Sequence, residues 1–322
     1  MQLPMLQIGT LKAKIPIIQG GMAVRISTAP LAAAVANEGG IGVIAGTGMS
    51  VAELREEIKR ARRLSKGIIG VNVMFAVREF ANLVIAALEE GIDLVISGAG
   101  FSRDIFGWGK KYNRAIVPIV STPRLAMMAE RLGASAVVVE GVEAGGHLGT
   151  KEQLKNIISS VRNTIKIPII AAGGITTGKD IVEALKLGAN GVQMGTKFAA
   201  SEESNASQAF KNLYLSAKET DLVFVQSPVG LEGRAIRNEF IRALEAKKPL
   251  KPWRCENCLK ECSRKFCILS ALENAQKGNL EEGLVFAGTG VTGITQILPV
   301  KKIISSLLTE VNEYLKKGED SF

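Results

Sequence analysis

The chain has 322 residues, 40 Lys and Arg against 31 Asp and Glu, and a formal net charge of +9. It is 47% hydrophobic but only 5% aromatic, with 34 glycines, which suits a large α/β core of Val, Ile, Leu and Ala joined by many tight turns. No apolar run reaches transmembrane length, the N-terminus MQLPMLQIGT lacks a signal-peptide pattern, and the basic stretches are not interleaved with aromatics. A membrane span and a nucleic-acid stripe are set aside, and a cytoplasmic protein is expected. The positive charge, much of it in Lys59 to Lys66 and Lys247 to Lys265, fits an acidic substrate, cofactor or carrier protein no more than weakly.

In chain order, Ile15 to Gln19 reads as a first strand, followed by a Gly20-Gly21-Met22 loop and a helix over Thr28 to Asn37 that Gly39-Gly40 stops. Ile41 to Ala45 is the second strand. Ser50 and Glu53 have the spacing of a capping box for a helix running to about Ser65. Ile68 to Val73 is strand three, ending near Asn72, with a helix over Glu79 to Glu90. Leu94 to Ser97, Ile116 to Val120 and Ala136 to Glu140 are strands four, five and six, with helices over Pro123 to Leu132 and Lys151 to Thr164.

Strands seven and eight begin at Ile167 and Gly191. Eight such units in about 200 residues predict a (β/α)8 TIM barrel. An open doubly wound sheet would have to explain the regular repeat and the lack of an early GxGxxG.

After Ser201 the pattern changes. Glu202 to Thr220 reads as helix, Phe224 to Gly233 as extended, and Glu239 to Lys247 as helix. A KKPLKPW break, four cysteines, a helix over Cys267 to Gln276, a glycine-rich stretch over Leu284 to Gly293 and an amphipathic helix over Val300 to Leu315 complete the chain. The expected division is a barrel over 1–202, a mostly helical C-terminal cap over 203–294, and a last helix over 295–322 that returns to the barrel wall.

The stretch from Ile167 to Thr196 carries the first chemical signal. Two successive strands end in glycine, at Gly173-Gly174 and at Gly195-Thr196. Bare amides at such ends, with a short helix after Thr196, predict a phosphate cradle. His147, the one histidine of the chain, lies in the loop EGVEAGGHLG after strand six. Barrel active sites are made of such loops, so a general base or a hydrogen-bond donor to substrate is expected there. A second histidine is lacking for a zinc hydrolase, and nothing marks a nucleophilic serine.

Cys255, Cys258, Cys262 and Cys267, spaced C-x2-C-x3-C-x4-C, predict a zinc ion or a [4Fe–4S] cluster before disulfides.

Taken together and in order, IPIIQGGM, the Asn72 strand, EGVEAGGHLG, AAGGI and QMGT resemble the nitronate monooxygenase family, formerly 2-nitropropane dioxygenases, and its relative the flavin-dependent enoyl-acyl-carrier-protein reductase II. The resemblance covers roughly residues 10 to 202 and implies an FMN-binding barrel. It implies that Gly21 and Met22 line the flavin ring, that Asn72 hydrogen-bonds the flavin, and that Gly145 passes close to it. Glu140 stands where many of these monooxygenases carry a flavin-contacting glutamine, and Gln193 and Met194 complete the last strand end. Gly173, Gly174, Gly195 and Thr196 would hold the FMN phosphate, and His147 would be the catalytic base or donor.

The leading expectation is oxidation of alkyl nitronates by O2 to a carbonyl compound and nitrite. The alternatives are NAD(P)H-dependent reduction of an enoyl thioester, with acyl carrier protein as partner, and a flavin-binding module without turnover. QGGM, GGHLG and Glu140 lean toward the reductase, and the cysteine motif belongs to neither pattern. A phosphosugar barrel enzyme would instead need a Lys or a carboxylate pair at the strand ends. The expected partner is a small-molecule substrate, without nucleic acid or membrane, and a homodimer is compatible with the sequence.

Overall fold

The computed structural model describes residues 3–317 other than 23, 249 and 251–254. Two short strands, β1 (Leu6–Ile8) and β2 (Leu11–Ala13), form an antiparallel hairpin. Strands and helices then alternate: β3 (Ile17–Gln19), α1 (Ala29–Asn37), β4 (Ile41–Ala45), α2 (Val51–Leu64), β5 (Ile68–Met74), α3 (Phe80–Glu89), β6 (Leu94–Gly98) and α4 (Asp104–Tyr112). β7 (Ala115–Val120), α5 (Pro123–Leu132) and β8 (Val137–Glu140) follow.

A short β9 (Gly146–Leu148) precedes α6 (Leu154–Arg162), β10 (Ile169–Ala172), α7 (Gly178–Lys186), β11 (Gly191–Met194) and the single-turn α8 (Thr196–Ala199). β3 to β8, β10 and β11 close into a parallel barrel of eight strands, with β10 paired to β8 and β11 to β3. The (β/α)8 barrel expected from the sequence is the observed fold.

Strand parity builds two cores. Ile18, Val43, Ile96, Val117, Val138 and Ile170 point into the barrel, while their neighbours Ile17, Ile44, Val95, Ile116, Val137 and Ile169 pack under the helices. Leu6, Ile8 and Ala13 of the hairpin join the inner set, so the hairpin plugs the barrel bottom and the mouth is left for ligands. Each buried Val, Leu or Ile of these sets contributes about 1.5–3 kcal/mol.

One seam is weak. β3 meets β4 through a single paired position, Ile18↔Ile41. The fully buried Gln19 side chain takes over there, accepting from Val43 N at 3.1 Å and donating to Val43 O at 3.1 Å and Ser27 Oγ at 3.1 Å.

Several local expectations are corrected. α4 and the β1–β2 hairpin escaped the sequence reading; α4 is short, with Gly107 and Gly109 diluting its helical pattern. Ser50 does cap α2, accepting from Glu53 N at 3.2 Å, but the Glu53 carboxylate binds Arg25 Nε at 2.7 Å. The pull of a guanidinium exceeds that of one backbone N–H, so the expected box is half made. A complete capping box forms instead at Thr177 and Asp180.

Beyond the barrel, the helix expected over Glu202 to Thr220 shrinks to α9 (Gln208–Ser216). Ser207 caps it, and Glu203 upstream is drawn away to accept from Val300 N at 2.9 Å, capping α12 (Val300–Lys317). The extended stretch is a hairpin, β12 (Leu222–Gln226) and β13 (Glu232–Ile236), followed by α10 (Glu239–Glu245) and α11 (Ile268–Lys277). Among its described residues the region 203–294 thus carries three α-helices and one hairpin. Part of the KKPLKPW break, including Pro249 and Trp253, lies outside the described residues. α12 packs on α7 and α1.

Candidate active site

At the barrel mouth each strand offers one inward residue to a cavity of about 630 Å³: Gly20, Ala45, Asn72, Gly98, Ile119, Glu140, Ala172 and Gln193. They follow the inner-core residues at a spacing of two, as the pleat requires. Four are Gly or Ala, which leaves a flat floor; Asn72, Glu140 and Gln193 are its polar points. The Asn72 amide donates to Gly21 O at 3.1 Å. Its Oδ1, and Gln193 Oε1, are buried without any protein partner.

At one end of the floor, β10 runs into Gly173 and Gly174, at φ +114° and +72°. Side-chained residues rarely take this left-handed backbone, so the turn that bares these amides depends on glycine. Gly195 and Thr196 stand beside them at the start of α8. The Thr289–Gly293 turn lies against this cradle: Gly288 N donates to Thr196 Oγ1 at 3.1 Å, and Gly288 and Gly290 line the cavity. Those two glycines lay in the stretch that read only as glycine-rich.

Gly145 also lines the cavity, but its lack of a side chain serves a different contact. A Cβ there would stand 2.5 Å from Ala287 C and Gly288 N, so cap backbone packs directly on it.

His147 is not in an open loop. It sits in β9, which pairs antiparallel with β13 of the cap, His147 opposite Gly233. β12, β13 and β9 thus form one sheet that locks the strand-six loop to the cap. Across it, His147 Nε2 lies 2.7 Å from Ser227 Oγ, and the Phe286 ring packs edge-on at 5.1 Å. Which atom donates to the other depends on the imidazole tautomer. The Phe286 carbonyl accepts from the Tyr214 hydroxyl, which steadies this corner. Arg234 braces the loop from below, donating from Nη2 to Val142 O at 2.8 Å. Ser227, Phe286 and Tyr214 carried no sequence signal as site residues, because they lie far from His147 along the chain.

Glu140 and His147 face the cavity and are enclosed by protein on their other sides. Burial pushes the Glu140 carboxyl up to about 8 and the His147 imidazole down to about 4. Both shifts favour the neutral form. Apart from them, Tyr214 is the only titratable side chain among the described lining residues, and burial raises it too. The lysine or carboxylate pair of a phosphosugar enzyme is not among those described residues.

The flat floor and the glycine turn at its end match in shape a flat ring system that ends in a phosphoryl group. FMN fits by two tests: its imide N–H and ribityl hydroxyls are donors for the unpaired Asn72 and Gln193 oxygens, and the glycine amides match its phosphate.

The nitronate monooxygenase family model matches residues 5–88 and 76–310, and the chain belongs to that family. A probable nitronate monooxygenase of Staphylococcus aureus is 28% identical, over 95% of this chain and 97% of the relative. Among solved structures, FabK from Thermotoga maritima is 33% identical with a TM-score of 0.84, over 95% of each chain. Nitroalkane oxidase from Streptomyces ansochromogenes is 25% identical with a TM-score of 0.82, over 95% of this chain and 98% of its own. The protein is therefore a flavin oxidoreductase, and FMN follows from the family.

All the residues singled out for the flavin and for catalysis, from Gly21 and Met22 to Thr196, line this one cavity. The four cysteines do not. They line a second, smaller cavity, are all free thiols, and Cys258 is pushed up by burial and by the neighbouring Cys267, Cys262 and Cys255. Among the described residues no group of three His, Cys, Asp or Glu side chains is arranged to hold a metal ion, and no helix is long and apolar enough to cross a membrane.

Proposed function

We propose that the chain reduces the double bond of a neutral enoyl thioester, with NAD(P)H as the source of electrons and FMN as the bound carrier. One observation carries this reading: burial makes the single imidazole of the cavity harder to protonate. An imidazole weakened to about 4 is a poor base for removing a proton, but its N–H still donates a hydrogen bond. A thioester carbonyl gains from such a donor as its oxygen takes on charge during reduction. The wall above the floor is apolar, with Phe101, Leu125, Met128, Leu231 and Leu269, and suits an acyl chain.

FMN supplies the hydride chemistry when bound. The chain's own part is to seat the ring on the strand-end floor, hold the phosphate on the glycine amides, exclude water with the cap, and point His147 at the substrate carbonyl. FabK, the enoyl-ACP reductase II among the structural neighbours, lends support to this reading. An acyl carrier protein as donor of the thioester, and a cytoplasmic setting that keeps the thiols reduced, belong to it.

Nitronate oxidation is the second reading, favoured by the family model and the curated relatives. A nitronate is an anion, and it would lose its hydration in a cavity whose described lining holds no Lys or Arg.

The test is anaerobic. The bound flavin is bleached with NADH or NADPH, and an enoyl thioester is added. Return of the flavin colour with one saturated product per flavin is expected. Bleaching of the oxidised flavin by a nitronate without oxygen, with nitrite released once air is admitted and no return of colour with the enoyl thioester, would replace the first reading by the second. No turnover with either, despite bound flavin, would leave a flavin-binding module.

A further inference from the structure

We infer that Cys255, Cys258, Cys262 and Cys267 bind a [4Fe–4S] cluster in the smaller cavity, against the cap wall of the flavin site. All four thiols of the chain line this one cavity, of about 240 Å³. A zinc ion would draw its sulfurs to about 2.3 Å from a single point and leave no space between them. Here no three donors among the described residues converge in that way, yet all four cysteines line one cavity. A four-iron cube is the thiolate-bound centre that holds its ligands apart and fills the space between them.

The surroundings suit a group of negative charge. Arg78, Lys260 and Arg264 line the cavity against one acid, Glu256. Arg264 N donates to Cys262 Sγ at 3.4 Å, the kind of N–H to sulfur contact that steadies cluster thiolates. Cys267 is the N-cap of α11, a helix of ten residues, so its sulfur lies at the positive end of the helix dipole.

The scaffold is prepared as well. Residues 255–263 contain no helix and only one isolated bridge, Val77↔Leu259, yet their backbone is pinned. Arg78 N donates to Cys258 O at 2.9 Å, Lys260 N to Ala76 O at 2.9 Å, and Ser263 N to Pro228 O at 3.0 Å. A cluster would staple this irregular segment, since a bound centre contributes its binding energy to folding. The two cavities adjoin: Ile268, next to Cys267, lines both, and Phe75 of the larger one carries Lys260 Nζ 3.5 Å from its ring centre. Cys255 and Cys262 are exposed, so oxygen reaches the site and aerobic purification would strip it.

The full chain is purified without oxygen, incubated with equal parts of ferrous and ferric iron and with sulfide, and desalted; iron, sulfide, zinc and flavin are counted in one sample. About four irons and four sulfides per chain are expected, with a paramagnetic signal after dithionite. C258S and C267S are each expected to lose most of the iron while keeping the flavin, which shows that the barrel is folded. Less than about one iron per chain in flavin-loaded protein, one firmly held zinc, or full iron in both variants would each overturn the assignment. Flavin is read separately from iron, so failure of the flavin site and failure of the cluster site are distinguishable.

Discussion

The barrel half of the flavin cavity and the cap half are made of different materials. The barrel contributes backbone and small side chains: a floor of one residue per strand and the Gly173-Gly174 amides, all fixed by a closed ladder of strands. The cap contributes side chains and loops from distant parts of the chain: Ser227 on His147, Phe286 against its ring, and Gly288 on Thr196. On the proposed function the barrel half would bind the flavin, and the cap half would orient the one imidazole. Damage to the first should show in flavin affinity, and damage to the second in turnover.

His147→Ala should give the largest separation of the two. It removes the donor without touching the floor, so kcat should fall about 10²–10⁴-fold while flavin content stays at the wild-type level. Equal loss of flavin and turnover would blur the division and place the imidazole in cofactor binding.

Gly145→Val attacks the joint itself. A Cβ there meets cap backbone at 2.5 Å, so the cap must shift from the cradle. FMN affinity should weaken about tenfold or more, as when one or two kcal/mol of packing is lost, and equilibrium dialysis measures it. Unchanged affinity would mean that Gly288 and Gly290 contribute nothing to the phosphate site.

Ser227→Ala should be milder. Losing one hydrogen bond worth about 1 kcal/mol should lower kcat about fivefold with flavin binding intact. Rescue by Ser227→Thr would tie the effect to the hydroxyl, and a loss unrelieved by Thr but matched by Gly would argue for packing alone.

The last tests vary pH. Glu140 is raised in the folded chain, so the folded state holds a proton that the unfolded state has released between about 4.5 and 8. Its contribution to stability is full below that window and is lost as pH rises through it. Once ionised it also places a negative charge on the flavin floor, so FMN should bind more weakly above pH 8, and Glu140→Gln should give a flat profile. His147 acts in the opposite sense. Its folded value is about 4 against 6.5, so stability is full above 6.5 and falls as pH drops toward 4. His147→Gln should remove that acid-side loss in a urea titration series.

The parts of this protein that local sequence could specify are those whose physics is local. Apolar runs such as Ile169 to Ala172 have one stable use, a strand buried on both faces, and eight of them closing in order leave little choice but a barrel. A Gly-Gly at a strand end announces its left-handed turn without reference to any neighbour. The same logic misled at Glu53 and over Glu202 to Thr220, where a longer-range partner, Arg25 in one case and the start of α12 in the other, outbid the local pattern.

What the sequence determined by itself was therefore the barrel, the amide cradle and the place of His147 along the chain, because hydrophobic period and glycine geometry act over a few residues. Tertiary structure decided the rest. Only the fold brings Ser227 to within 2.7 Å of His147, seats Gly288 on the cradle, and gathers four thiols along one cavity. It also decides the titration of the cavity, since burial raises the Glu140 carboxyl and lowers the His147 imidazole, and no residue code records that burial.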